Sequence, residues 1–382
     1  MNQDFIARIH DPAGVLSRFL TELKTRAAKP DNRRGCFALA LGCTETSDVP
    51  GISAAGATAH LRRMTPAVDA EALVLGHTVS GARIPVSPAG IASPVVLTRA
   101  ALSFLNSDTV VVDCGSFVPP GIDCVTSGTR VAKCLSSGRA LELSYVKRLF
   151  RRGVELGERL SKQYEYLVVG ECVPGGTTTA LAVLKGLGYQ ADGLLSSSLP
   201  EANHDLRGRL VNEGLERSGF YRGGVRWQSA LKISSMQVVA ACGDPMQPVV
   251  AGLALAASSA IPVVLAGGSQ MLAVWALISD IARRDGVNLK ACSIGIVTTK
   301  WVAFDRSAAI KRLAELVDAP FAAACPDFRL SRHAGLRAYE DGHVKEGVGA
   351  GGAMATAHLS GVSPESLLHA VDAAYEQLVL GQ

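Results

Sequence analysis

Aromatic side chains make up only 5% of the 382 residues, while Ala, Gly and Val are abundant. So little ring bulk suits a closely packed α/β sheet with many tight turns. Net charge is also small, at +4, and nothing in it marks a nucleic-acid binder. The densest basic run, Lys147-Arg148 and Arg151-Arg152, encloses Leu149 and Phe150 at helical spacing. It reads as a solvated helix face rather than a phosphate or RNA patch. The nine cysteines are odd in number and form no CxxC, which argues against a disulfide framework or a zinc site. Most of them read as small buried thiols in a reducing compartment, which is expected to be the cytoplasm. Met1 to His10 lacks the apolar core of a signal peptide. A long uninterrupted apolar run is missing too. Pro245 to Ser279 carries no charge, but Pro262 and Gly267-Gly268 cut it. That segment is expected as helix (248–259), buried strand (261–265), glycine loop and helix (269–284), with no membrane span.

What is present is alternation. Short apolar runs at Cys36–Leu41, Thr109–Val112, Tyr166–Val169, Val238–Ala241, Ile261–Leu265 and Cys292–Thr298 are expected as strands. Stretches with helical spacing, such as Leu141–Tyr164 and Thr178–Leu187, lie between them. This pattern predicts an α/β fold with a mostly parallel sheet and helices on both faces. Several strands run into glycine turns, at Cys114-Gly115, Gly170-Glu171 and Ala266-Gly267-Gly268. Ligands of open α/β sheets bind at the carboxyl ends of strands, so the site is expected there. Residues 1–35 read as a helix followed by the polar link Lys29–Arg34. Residues beyond about 330 are helical without a strong strand. Two helical ends often pack together as a small cap.

Two glycine-rich stretches carry chemistry. In Gly170-Glu171-Cys172-Val173-Pro174-Gly175-Gly176-Thr177-Thr178 a strand feeds a glycine loop and then a threonine-capped helix. Such a loop brings backbone N–H groups to a phosphate, and a helix N-terminus favours an anion. It is neither a Walker A loop nor a GxGxxG fingerprint. The alternative is an ordinary strand-to-helix turn. Glu171 makes sense beside such a loop when the ligand also carries positive charge. The second stretch is Lys345-Glu346-Gly347-Val348-Gly349-Ala350-Gly351-Gly352. Glycines there leave Glu346 reachable, and partial burial would suit it to general-base work. A glutamate stabilised at a helix start is the competing reading. Asp113 lacks the adjacent acid and the Thr-Gly turn of a phosphoribosyl-pyrophosphate loop, so pyrophosphate is not the expected leaving group. His333 and His343 have no metal-ligand spacing, and no metal or cofactor is expected.

Taken together these residues resemble the nicotinate-nucleotide:dimethylbenzimidazole phosphoribosyltransferases, most closely a divergent branch typical of archaea and cyanobacteria. Pro50-Gly51-Ile52-Ser53-Ala54-Ala55-Gly56, Ser87 to Pro94, the Glu171 loop, Pro262 to Met271 and Glu346-Gly347-Val348-Gly349 carry the resemblance. It runs over most of residues 36–360. It implies a Rossmann-like large domain at 36–330, a small helical domain from 1–35 and 331–382, and a homodimer. It also implies nicotinate mononucleotide and an aromatic base as partners, with transfer of the phosphoribosyl group to give an α-ribotide. Glu346 would be the base and Glu171 would face the cationic sugar. Gly175, Gly176, Thr177, Thr178, Gly267, Gly268 and Ser269 would hold the nucleotide and its phosphate. Ser87, Pro88, Pro94, Thr98 and Gly347 would meet the acceptor base. Where the bacterial branch has Val-Thr-x-Gln-Met, this chain has Val96-Leu97-Thr98-Arg99-Ala100; an Asp-His-Gly is replaced by Gly42-Cys43-Thr44-Glu45. The acceptor is therefore open: dimethylbenzimidazole, adenine or a phenol. A non-catalytic nucleotide-binding paralogue is the alternative from another class.

Overall fold

In the segment Gly35–Leu41 all seven residues are buried, and they alternate between two cores. Cys36, Ala38 and Ala40 face one, while Phe37, Leu39 and Leu41 face the other. A strand buried on both sides belongs inside a parallel sheet covered by helices. The computed structural model describes residues 4–28, 34–80, 83–87, 89–199, 203–223, 225–226, 233–287 and 289–381. Its strands are β1 (Ile6–His10), β2 (Gly35–Leu41), β3 (Ser107–Asp113), β4 (Val125–Thr126), β5 (Leu167–Cys172), β6 (Tyr221–Arg222), β7 (Val225–Arg226), β8 (Val263–Ala266), β9 (Ile294–Thr299) and β10 (Phe321–Ala324). Eight form one sheet in the order β1-β10-β9-β8-β5-β2-β3-β4, and β6 and β7 form a small hairpin. All neighbours in the large sheet run parallel except β1, which pairs antiparallel with β10.

The helices are α1 (Val15–Ala27), α2 (Ala59–Leu75), α3 (Val95–Leu102), α4 (Leu143–Gln163), α5 (Gly176–Leu187), α6 (His204–Arg217), α7 (Ser235–Cys242), α8 (Met246–Ala257), α9 (Ser269–Asp285), α10 (Lys300–Ala303), α11 (Ile310–Leu316), α12 (Ala334–Arg337), α13 (Ala350–Leu359) and α14 (Pro364–Tyr375). Helices α4–α9 and α11 supply the core on the Ala38 face. Helices α1–α3 and α12–α14 supply the core on the Phe37 face. Helices α4 and α8 meet backbone to backbone. A Cβ on Gly153 or Gly157 would strike the carbonyls of Val249 or Leu253, and one on Gly252 would strike that of Phe150. The expected mostly parallel α/β sheet is thus the observed one. Among the described residues no helix is long and apolar enough to cross a membrane.

Two local expectations need correction. The run Val238–Ala241 lies in helix α7, not a strand. Ser234 and Gln237 close a reciprocal capping box on it, and an apolar run of that length has no period to tell helix from strand. The amino-terminal segment is not helix alone. Strand β1 precedes α1 and binds the sheet edge, with Ile6 opposite Ala324. Of the expected link, residues 29–33 lie outside the described residues.

The chain leaves β2 toward β3 on one side and leaves β5 toward β8 on the other. The carboxyl ends of β2 and β5 therefore flank the point where the winding reverses, which is where such sheets open a crevice.

Candidate active site

A cleft of about 950 Å3, counting the solvent at its mouth, opens at those ends. Its walls come from Ile52–Gly56, Pro85–Ser87, Ile91, Ser93, Pro94, Glu171–Thr177, Ser196–Ser198, Gly268–Gln270 and Val344–Val348. Helices α5 and α9 both begin at it, and neither has a side-chain cap. Their positive dipole ends favour an anion. The expected threonine cap on α5 is absent. Gly175 is its N-cap in the left-handed region at φ 82°, and Thr179 donates instead to the Gly176 carbonyl and to Asp244. Gly176 is constrained by a neighbour, because a Cβ there would collide with the Gln270 amide.

Glu171 ends strand β5 and is buried. Its Oε2 accepts the Val173 N–H at 3.1 Å, and Gln270 also donates to its carboxylate. Burial, with the nearby charges of Asp244 and Glu346, raises its pKa to about 8. Glu346 lines the same cleft from the segment before α13. Its Oε2 accepts the Thr299 N–H at 2.8 Å and the Thr298 hydroxyl at 3.1 Å. Its Oε1 accepts the N–H groups of Gly347 at 3.1 Å and Gly351 at 3.3 Å. Desolvation raises its pKa to about 7 against the pull of those four donors. Both carboxylates thus sit where proton transfer near neutrality is open to them.

The backbone around Glu346 is strained. Val344, Lys345 and Val348 have φ of 65°, 61° and 54°, the left-handed region that side-chain-bearing residues avoid at a cost of about 1–3 kcal/mol each. Neighbours hold them there. The Lys345 ammonium pairs with Asp305 at 2.7 Å, and its carbonyl accepts the Thr299 hydroxyl at 2.6 Å. Val348 donates its N–H to the Glu171 carbonyl and accepts the Thr98 hydroxyl, both at 3.0 Å. Most glycines after Glu346 serve packing rather than access. A Cβ on Gly349 would lie 2.9 Å from Gly170 Cα, and one on Gly351 or Gly352 would strike Thr298 or Ala266. They let the first turn of α13 rest on the ends of β5, β8 and β9.

Of the residues expected at a site, the cleft brings together Glu171, Glu346, Gly175, Gly176, Thr177, Gly268, Ser269, Ser87, Pro94 and Gly347. Thr178, Gly267 and Thr98 lie behind its wall. Thr178 is fully buried and Thr98 is spent on Val348. Pro88 lies outside the described residues. Asp69, Ser93, Ser197, Lys345 and Gln270, to which the sequence alone assigns no role, also line the cleft. Three buried polar atoms of these residues lack a protein partner: Asp69 Oδ1, Ser197 Oγ and Gln270 Oε1. Buried polar atoms usually have a partner, and a polar group bound in the cleft would supply one. Among the described residues no group of His, Cys, Asp and Glu has the arrangement to hold a metal ion.

No protein-family model matches the chain. Its fold is similar to that of the nicotinate-nucleotide–dimethylbenzimidazole phosphoribosyltransferase of Thermus thermophilus, with a TM-score of 0.57 at 17% identity over 94% of this chain and 96% of that one. Its sequence is 46% identical over 338 residues to a UPF0284 protein of Gloeobacter violaceus, covering 88% of this chain and 86% of the relative. It is 39% identical over 348 residues to one of Saccharolobus solfataricus, covering 91% and 94%. Relatives this similar over nearly their whole length, in a cyanobacterium and an archaeon, place the chain in the UPF0284 family.

Proposed function

We propose that the protein is a phosphoribosyltransferase that moves the phosphoribosyl group of nicotinate mononucleotide to a nitrogen of an aromatic base. The observation that carries this is the pairing of Glu171 and Glu346 in one cleft, each raised toward neutrality and each within the other's field. An anionic phosphate suits the uncapped starts of α5 and α9. A cationic pyridinium–ribose suits the carboxylates. The bond from C1′ to the pyridinium nitrogen breaks, and its electron pair stays with the ring, which leaves as nicotinate. The acceptor nitrogen forms the new bond to C1′ from the opposite face, giving an α-ribotide. Glu346 takes the proton that the acceptor nitrogen gives up. Glu171, fixed and poorly solvated, stabilises the positive charge that grows on the sugar. The leaving group is neutralised by bond cleavage itself, so the step asks for no Lewis acid.

The test is nicotinate release from the mononucleotide, followed with and without added base, with the ribotide identified by mass. Release that depends on base, with matching ribotide, is the expected result. Tight binding of the mononucleotide with no release under any base would mean a nucleotide-binding protein instead.

A further inference from the structure

Asp69 has no part in the transfer step just described, yet it lines the cleft from α2 at 2% exposure. The Cys172 thiol donates to its Oδ2 at 3.4 Å, and Ser93 also hydrogen-bonds the carboxyl. Its Oδ1 meets no donor among the described residues. When ionised that oxygen is an acceptor, so the missing partner is an N–H or O–H, and a donor arriving there favours the ionised form. The surroundings say which part of a ligand brings it. Ser93 precedes Pro94, whose ring packs on Gly347: a Cβ at Gly347 would lie 3.3 Å from Pro94 Cγ. Tyr339 donates to the Ala92 carbonyl at 2.9 Å and feels the charges of both Asp69 and Glu346. Asp69 and Glu346 thus line one cleft, and the Ser93–Pro94 turn meets Asp69 at one residue and the Glu346 segment at the next. A flat base with its reacting nitrogen at Glu346 presents another edge to Asp69.

We infer that Asp69 selects the acceptor, its free Oδ1 receiving an N–H from an aromatic base that carries an amino group on the edge away from the attacking nitrogen. A base with only methyl groups on that edge would bury the carboxylate against carbon and leave it unpaired, which is the situation a polar site rejects most strongly. This inference rests on the transfer reading for its kinetic test but not for its binding test.

The first test compares kcat/KM for adenine, purine and dimethylbenzimidazole with nicotinate mononucleotide as donor. The wild-type protein should favour adenine over both of the others by roughly 10-fold or more. Asp69→Asn and Asp69→Ala should remove that preference and leave the KM for the mononucleotide unchanged. The comparison of adenine with purine uses the wild-type protein alone, so it stands even where a variant does not fold. A wild-type preference for dimethylbenzimidazole, equal rates with adenine and purine, or equal losses on all bases would overturn the inference. So would a rise in mononucleotide KM as the main effect, which would put Asp69 on the ribose. The second test is calorimetric binding of the three bases, which needs no turnover. Selective, Asp69-dependent binding of adenine without nicotinate release would end the transfer reading and sustain this one. Indifference of binding to the amino group would end this one.

Discussion

Val348 donates its backbone N–H to the carbonyl of Glu171 at 3.0 Å, so the end of β5 and the strained segment carrying Glu346 are tied by their main chains. The two stretches of backbone that carry the carboxylates are thereby held together, and each carboxylate is then placed by its own hydrogen bonds. Substitutions at either glutamate should alter chemistry while the frame between them persists.

Glu346→Gln removes proton acceptance at a carboxylate that receives four hydrogen bonds. Whichever way the amide turns, its NH2 group faces at least one backbone N–H that cannot reverse, so stability should fall by about 1–3 kcal/mol. Turnover should fall further, by about 10²–10⁴-fold, the usual range for a general base. Affinity for the mononucleotide should hold. Melting temperature and turnover per folded molecule, taken on one preparation, separate the two effects. Normal turnover per folded molecule would leave Glu171 as the remaining candidate base.

Stability should decline as pH rises. Glu171 has a folded pKa of about 8 against an ordinary 4.5, so between those values the folded state holds a proton that the unfolded state has lost. The stabilisation is complete below about pH 4.5 and is lost as pH climbs through about 8. Glu346 and Asp69, each raised to about 7, act in the same direction. Melting temperatures across pH 5–8 should fall for the wild type and fall less for Glu171→Gln. Identical slopes would mean that Glu171 ionises normally in the folded protein.

The same proton should leave when a cationic ligand arrives. At pH 7 Glu171 is mostly protonated in the free cleft, and a pyridinium–ribose beside it favours the carboxylate. Binding of nicotinate mononucleotide should release roughly one proton per site, read as the dependence of calorimetric heat on buffer ionisation enthalpy. Glu171→Gln should abolish the dependence. Binding heats that ignore the buffer in the wild type would place the positive charge elsewhere.

Gly176→Ala should act through Gln270, whose amide occupies the space a Cβ needs. That amide is the end of a flexible side chain and can swing aside, so the main loss is its hydrogen bond to Glu171, about 1 kcal/mol. In a Gln270→Ala background that bond is already gone, so Gly176→Ala should cost little more, a coupling of about 1 kcal/mol in the cycle. Strict additivity in thermal melts would show that the loop backbone, not Gln270, demands the glycine.

The sheet was legible because its strands are short uncharged runs cut by glycine, and burial on both faces removes the need for polar alternation. Strand β1 was not, because Ile6-Ala7-Arg8-Ile9-His10 sits half-exposed at an edge and carries charge. Glu171 and Glu346 could be picked out because glycines surround them. Asp69 could not. It lies in the interior of α2 with no motif around it, and it becomes notable only when Ser93 and Cys172, from distant elements, close on it. Lys345 gives no sign of its burial either, because its partner Asp305 lies forty residues upstream. Gly349, Gly351 and Gly352 were visible, but their purpose was not: close packing and access look alike in a string of letters.

The antiparallel pairing of β1 with β10 also orders events in time. Ile6–His10 is synthesised long before its partner, which begins at Phe321. Pairing over such a separation closes a very large loop and tends to come late. Until it does, one nascent strand has no partner and the growing sheet shows an open edge, the kind of surface on which chains pair with one another. A chain interrupted before Phe321 would keep both liabilities at once. Chaperone demand and self-association during expression should therefore be greatest as synthesis approaches Phe321.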